Sequence, residues 1–77
     1  MVKRVEDEEV IRVLSRVMKI PKKKVKIDLK LGSIPEWDSL THLNIYFEIQ
    51  KVFKRKISME SAANVKSVKD WIKLINN

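Results

Sequence analysis

Apolar and polar positions along the chain fall into four helical stretches separated by one long connection. In the first stretch Val10, Val13, Leu14 and Val17 recur at intervals of three and four, the spacing that gathers side chains on one face of a helix. This predicts a helix from about Glu6 to Met18. The acids Glu6, Asp7, Glu8 and Glu9 stand at its start, where the positive end of the helix dipole favours them. Pro21 bars continuation, since proline lacks the N–H and clashes with the preceding turn.

From Lys19 to Asp38 the pattern changes. Val25, Ile27, Leu29 and Leu31 alternate with polar residues, which by period alone is the signature of a strand. No second strand is evident to pair with it, and a lone strand leaves its backbone groups unsatisfied. The expectation is a long loop whose apolar residues tack it onto a helical core. Gly32, Ser33 and Pro35 then mark a turn.

The second helix is predicted from Asp38 or Ser39 to about Lys54. Asp38 is suited to the N-cap, because its carboxylate can accept a free first-turn N–H. Two apolar stripes run along this helix: Leu40, Leu43 and Phe47 form one, and Ile45, Ile49 and Val52, with Tyr46 and Phe53 beside them, form the other. A helix apolar on two faces is wholly buried or presents one face to something else. In a chain this short the second stripe, Ile45 to Val52, is the candidate partner surface.

A short third helix is expected near Met59 to Asn64. The fourth opens on Ser67 as N-cap, with Asp70 three residues on as a variant of the capping box. Val68, Trp71, Ile72 and Ile75 supply its buried stripe. The fold class expected is all-α: a small four-helix bundle, three main helices and one short one, with a long loop after the first helix. Seventy-seven residues are read as a single domain, residues 1–77, near the lower end of what folds unaided. Repeats and low-complexity tracts are absent from the sequence.

Composition narrows the chemistry. Apolar residues make up 44% of the chain, with one Gly and two Pro, which argues against disorder. With no cysteine there is no disulfide, thiolate metal site or catalytic thiol. The charged N-terminus, Lys3 to Glu9, has no apolar run behind it, so neither a signal peptide nor a membrane span is expected. A cytoplasmic monomer is the expectation. Seventeen Lys and Arg against ten Asp and Glu leave a net charge of +7, which raises nucleic-acid binding. Six lysines lie between Lys19 and Lys30 and four basic residues between Lys51 and Lys56. Such clusters also serve simply as solvated surface, so charge alone decides nothing.

At Trp37-Asp38-Ser39-Leu40 a serine follows a turn and opens the central helix. Free N–H groups and the helix dipole there suit a phosphodiester, while the plainer account makes Asp38 and Ser39 caps. The segment Asp38-Ser39-Leu40 resembles the attachment motif of the acyl and peptidyl carrier protein family. The resemblance continues through Leu43, Ile45, Ile49, Phe53, Ile57, Ala62, Val65 and Ser67-Val68 to Ile72 and Ile75. Upstream, the first helix, the long loop and the Leu31-Gly32 turn follow in looser register.

The resemblance implies a carrier that is not an enzyme. Ser39 would carry 4'-phosphopantetheine, transferred from coenzyme A by a phosphopantetheinyl transferase with a divalent metal, and Asp38 would support recognition by that transferase. The arm's thiol would hold an acyl or aminoacyl thioester, placed by a loading ligase and passed to an acyltransferase or synthase. Leu40, Leu43, Asn44, Phe47 and Lys51 would contact these partners. Many fatty-acid carriers line this helix with acids; here Thr41, Asn44, Gln50 and Lys51 stand there, and only Asp38 and Glu48 are acidic between Asp38 and Lys56. Steering toward basic enzymes should be weak or reversed, leaving Leu40, Leu43 and Phe47 to supply more of the interface. A specialised carrier in fatty-acid, polyketide or other lipid biosynthesis, with few dedicated partners, is expected rather than a housekeeping one.

The remaining candidates carry plainer readings. His42, three residues after Ser39, lacks a third group to orient it and is expected as an exposed surface residue. Trp37 is expected to pack the loop against the helix rather than lie over cargo, and Trp71 to be core. Met18 and Met59 are expected as gap-fillers. One histidine and scattered acids assemble no metal site. The competing functions are a basic nucleic-acid-binding domain, although no basic helix with exposed aromatics is evident, and an unmodified adaptor with the carrier fold, which would not need Ser39.

Overall fold

The computed structural model describes residues 4–77; the charged stretch expected from Lys3 thus begins one residue outside them. The fold is all-α, with four helices: α1 (Asp7–Met18), α2 (Ser39–Phe53), α3 (Met59–Ala63) and α4 (Val68–Ile75). A single 3-10 turn, Lys22–Lys24, interrupts the long connection. Among the described residues no helix is long and apolar enough to cross a membrane.

Helix α1 starts where its acids are, with Glu6 as N-cap and the Glu6 N–H donating to Glu9 Oε2 at 3.0 Å. It ends before Pro21: Lys19 takes the left-handed conformation, φ 59°, a position more often given to glycine. Val10, Val13, Leu14 and Met18 are buried, and α1 packs on both α2 and α4.

The connection contains no strand, as expected from the want of a partner. Its backbone is satisfied differently. Val68 N donates to Leu29 O at 3.1 Å, Lys69 N to Ile27 O at 3.0 Å, and Leu31 N to Lys66 O at 2.9 Å. The first-turn N–H groups of a helix have no partner within it, so the loop carbonyls cap α4. Val25 is buried and Leu29 and Leu31 pack against the core, whereas Ile27 stays 45% exposed. Gly32, at φ 85°, turns the chain so that its N–H reaches Trp37 O at 2.9 Å; this left-handed backbone suits the residue without a Cβ.

On α2 the stripes are assigned the other way round from the wheel-based expectation. Ile45, Tyr46 and Ile49 are buried, so most of the expected partner stripe is core; Phe53 packs beside it and only Val52 faces out. The two stripes are similarly apolar, and the docking of α1 decides which turns inward. Arg16 on α1 pairs with Glu48 on α2 at 2.8 Å, a largely exposed bridge of small energetic weight.

Ser58 caps α3, accepting from Ser61 N at 3.1 Å. Met59 is 60% exposed and fills no gap; only Met18 behaves as expected. Ser67 caps α4, accepting from Asp70 N at 3.2 Å. The Asp70 carboxylate accepts from Lys66 N at 3.0 Å, one residue earlier than a capping box requires. The ends of the described chain meet through Asn76, whose side-chain amide accepts from Val5 N at 2.7 Å and donates to Val5 O at 3.0 Å. One cluster of buried residues unites all of this, with Val10, Leu14, Trp37, Ile45, Ile49, Val68, Trp71 and Ile75 at its centre.

Candidate functional site

Ser39 is the first residue of α2 and is exposed. The cap is made by its neighbour, since Asp38 Oδ1 accepts from Thr41 N at 2.9 Å. This hydrogen bond, with further help from the Thr41 side chain, holds the Asp38 carboxyl below the usual aspartate range. Among the described residues the Ser39 hydroxyl has no hydrogen-bond partner. The sequence left open whether both residues were caps. The structure divides the roles: Asp38 caps, and Ser39 leaves an accessible hydroxyl at a helix end where N–H dipoles converge.

Beside Ser39 lies an apolar depression of about 250 Å³ between α2 and α3, lined by Ser39, His42, Leu43, Tyr46, Met59, Ala62 and Ala63. Its α3 wall is held to α2 by side chains. Tyr46 Oη donates to Ile57 O at 2.7 Å, Gln50 Oε1 accepts from Ile57 N at 3.0 Å, and His42 Nε2 lies 2.9 Å from Ala62 O.

Three expected partner residues form an exposed apolar stripe: Leu40 at 68%, Leu43 at 39% and Phe47 at 54%. Asn44 and Lys51 are also exposed. These five share one side of α2 by helical spacing, and the Leu43 end borders the depression. The exposed stripe lies on the face opposite Ile45 and Ile49.

His42 is the residue that sequence reasoning missed. It is half-buried, not on open surface. Trp37 Nε1 donates to its Nδ1 at 3.1 Å, and the ring packs against Trp71, with centroids 5.2 Å apart. Trp37 and Trp71 are both fully buried, so Trp37 pins the loop as expected and does not lie over the depression. An interval of five from Trp37 to His42 across a helix start was the available signal. It is unrecognisable without knowing that the turn folds Trp37 back onto α2.

Among the described residues no group of His, Asp and Glu is placed to hold a metal ion. No protein-family model matches the chain, and no curated protein matches it.

Proposed function

We propose that the chain is a carrier protein of the acyl and peptidyl carrier type, with 4'-phosphopantetheine on Ser39. The observation that carries this reading is an unencumbered serine hydroxyl at the start of α2, next to an apolar depression and an exposed apolar stripe. A cap-only serine would have its hydroxyl engaged with the helix, and here Asp38 performs that task.

The site suits the arm. The phosphodiester would sit at the end of α2, where backbone N–H dipoles favour an anion, on a side chain that is exposed. When bound, the arm supplies a terminal thiol that holds an acyl or aminoacyl group as a thioester. The chain's own residues do the rest. Asp38 fixes the first turn of α2 and so the direction in which Ser39 points. Leu40, Leu43 and Phe47 present apolar area to the transferase, the loading ligase and the acyltransferase or synthase, with Asn44 and Lys51 at the margin. Specialisation follows from charge: Glu48, the sole acid within α2, is drawn to Arg16, so this helix offers basic partners little attraction. No residue of the chain is assigned a catalytic step.

Intact mass after incubation with coenzyme A, magnesium and a promiscuous phosphopantetheinyl transferase tests the reading. One phosphopantetheine increment, absent in Ser39→Ala, is expected. No increment with several transferases would overturn it.

A second reading, binding to nucleic acid, has one structural observation in its favour. The loop–α4 pairing sets Lys30 opposite Ser67 and brings exposed Lys26 and Lys30 near exposed Lys66 and Lys69. Among the described residues none of these lysines forms an ion pair. Against it, Trp37, Trp71 and Tyr46 are buried and cannot stack on bases, which leaves Phe47 as the one well-exposed aromatic among the described residues. A gel shift that weakens steeply with salt would favour this reading over the carrier.

A further inference from the structure

Indole nitrogen can only donate a hydrogen bond. Trp37 Nε1 lies 3.1 Å from His42 Nδ1, so Nδ1 must accept and carries no proton. The remaining imidazole proton is therefore on Nε2, which faces Ala62 O at 2.9 Å, an atom that can only accept. Both neighbours demand the same tautomer. The neutral ring thus joins three segments: the loop through Trp37, α2 through its own backbone, and α3 through Ala62.

Protonation changes one of these bonds and spares the other. A proton added at Nδ1 points at the Trp37 N–H, and two donors cannot share that contact. Nε2–H still donates to Ala62. The Trp71 ring, 5.2 Å away and tilted by 37°, lies within range for its face to attract a cation and is nearer than the Trp37 ring, whose centroid is 6.0 Å off. The charged ring therefore has a defined alternative: it keeps Ala62 and Trp71 and releases Trp37. Trp37 is fully buried and, among the described residues, its N–H has no acceptor besides His42, so release unsettles the turn that ends at Asp38 and Ser39.

Other ionisable groups around the ring are engaged or turned outward. In the loop Glu36 is exposed, and Asp38 accepts from Thr41 N. On α2 Tyr46 donates to Ile57 O. On α3 Glu60 is exposed, as are Lys69 and Lys73 on α4, where Asp70 accepts from Lys66 N. None of them hydrogen-bonds or ion-pairs with the imidazole.

We infer that His42 is a pH-sensitive positioning residue: neutral, it clamps the loop and α3 around the depression beside Ser39, and on protonation it frees the loop side of that clamp. The clamp stands on the hydrogen-bond geometry alone; only its consequence for a cargo arm rests on the carrier reading.

The chain has a single histidine, so ring nitrogen NMR signals of the unmodified protein report this site and no other. At about pH 8 the expected spectrum shows Nε2 protonated and Nδ1 bare; acid titration to the point where the ring is protonated then adds the new proton at Nδ1. Over the same range the Trp37 indole N–H should shift and exchange with water at least roughly tenfold faster, while Nε2–H stays protected. In His42→Asn, which can offer an acceptor near the Nδ1 position and does not titrate, the indole signal should hold steady. A protonated Nδ1 at pH 8 would overturn the inference. So would an indole signal that ignores protonation of the ring, or one that changes equally in His42→Asn. Because unmodified protein is used, failure of Ser39 to accept phosphopantetheine leaves this result untouched.

Discussion

The Tyr46 hydroxyl on α2 donates to the carbonyl oxygen of Ile57 at 2.7 Å, eleven residues away and beyond the end of its own helix. Gln50 Oε1 takes the N–H of the same residue at 3.0 Å, so two α2 side chains satisfy both backbone groups of buried Ile57. The segment leading into α3 is thereby fixed without strand or helix, and the α3 wall of the depression follows from it. Tyr46→Phe keeps the ring and strands the carbonyl. Stability to urea should fall by about 1–3 kcal/mol, the range for a buried group left unpaired, and α3 amides should exchange faster. An unchanged midpoint would mean that the bond contributes nothing.

Asn76 closes the fold at its ends by pairing both polar atoms of its amide with Val5, at 2.7 and 3.0 Å. Asn76→Ala removes both and leaves the half-buried Val5 backbone to water or to nothing, lowering stability by about 1–3 kcal/mol. Asn76→Asp is the sharper variant. It keeps an acceptor for Val5 N but sets a carboxylate oxygen against Val5 O, so it should destabilise despite being nearly isosteric. Thermal unfolding of the three proteins, with Asp no better than Ala, is the expected order.

The helices were legible because their information is local. Val10 to Val17 at helical spacing, Pro21, Asp38 and Ser67 each act within a few residues, and α1, α2 and α4 begin where those residues say. Ser39 was legible for the same reason, as the first residue after a cap. What sequence could not supply was orientation. On α2 both Leu40-Leu43-Phe47 and Ile45-Ile49 satisfy the helical period, and only packing against α1 turns Ile45 inward. His42 needed the Trp37 turn, Asn76 needed a partner 71 residues away, and the loop carbonyls that cap α4 needed the whole chain folded.

Asp38 couples the first turn of α2 to pH. Its carboxyl is held below the ordinary aspartate value of about 3.9 because the ionised form accepts from Thr41 N. A lowered folded value means that the cap stabilises the fold above the unfolded value, and that this contribution is lost as pH falls through the folded one. Asparagine also caps well and does not titrate. Asp38→Asn should therefore leave stability near neutral pH little changed and lessen the loss of stability below about pH 4. Chemical denaturation at several acidic pH values checks this; parallel curves for the two proteins would remove Asp38 from the account. If transferases also recognise the carboxylate, Asp38→Asn should slow modification of Ser39 under conditions where its fold is unaffected.

Leu40 and Phe47 separate docking from folding. Both are more exposed than buried, at 68% and 54%, so truncation removes little from the core. Leu40→Ala and Phe47→Ala should each alter stability by no more than about 0.5 kcal/mol, as surface substitutions do. Ile49→Ala, at a fully buried position on the opposite face, should lose about 2–5 kcal/mol. Function should sort the other way. If the exposed stripe docks partners, the double variant Leu40→Ala/Phe47→Ala should lower kcat/KM for Ser39 modification by at least roughly tenfold, since apolar anchors at the centre of an interface carry most of its energy. Added salt should not restore the rate, because the lost contacts are apolar and unscreened. A stable double variant modified at the wild-type rate would leave the stripe without a role in that encounter and shift attention to the lysines around Lys30 and Lys66.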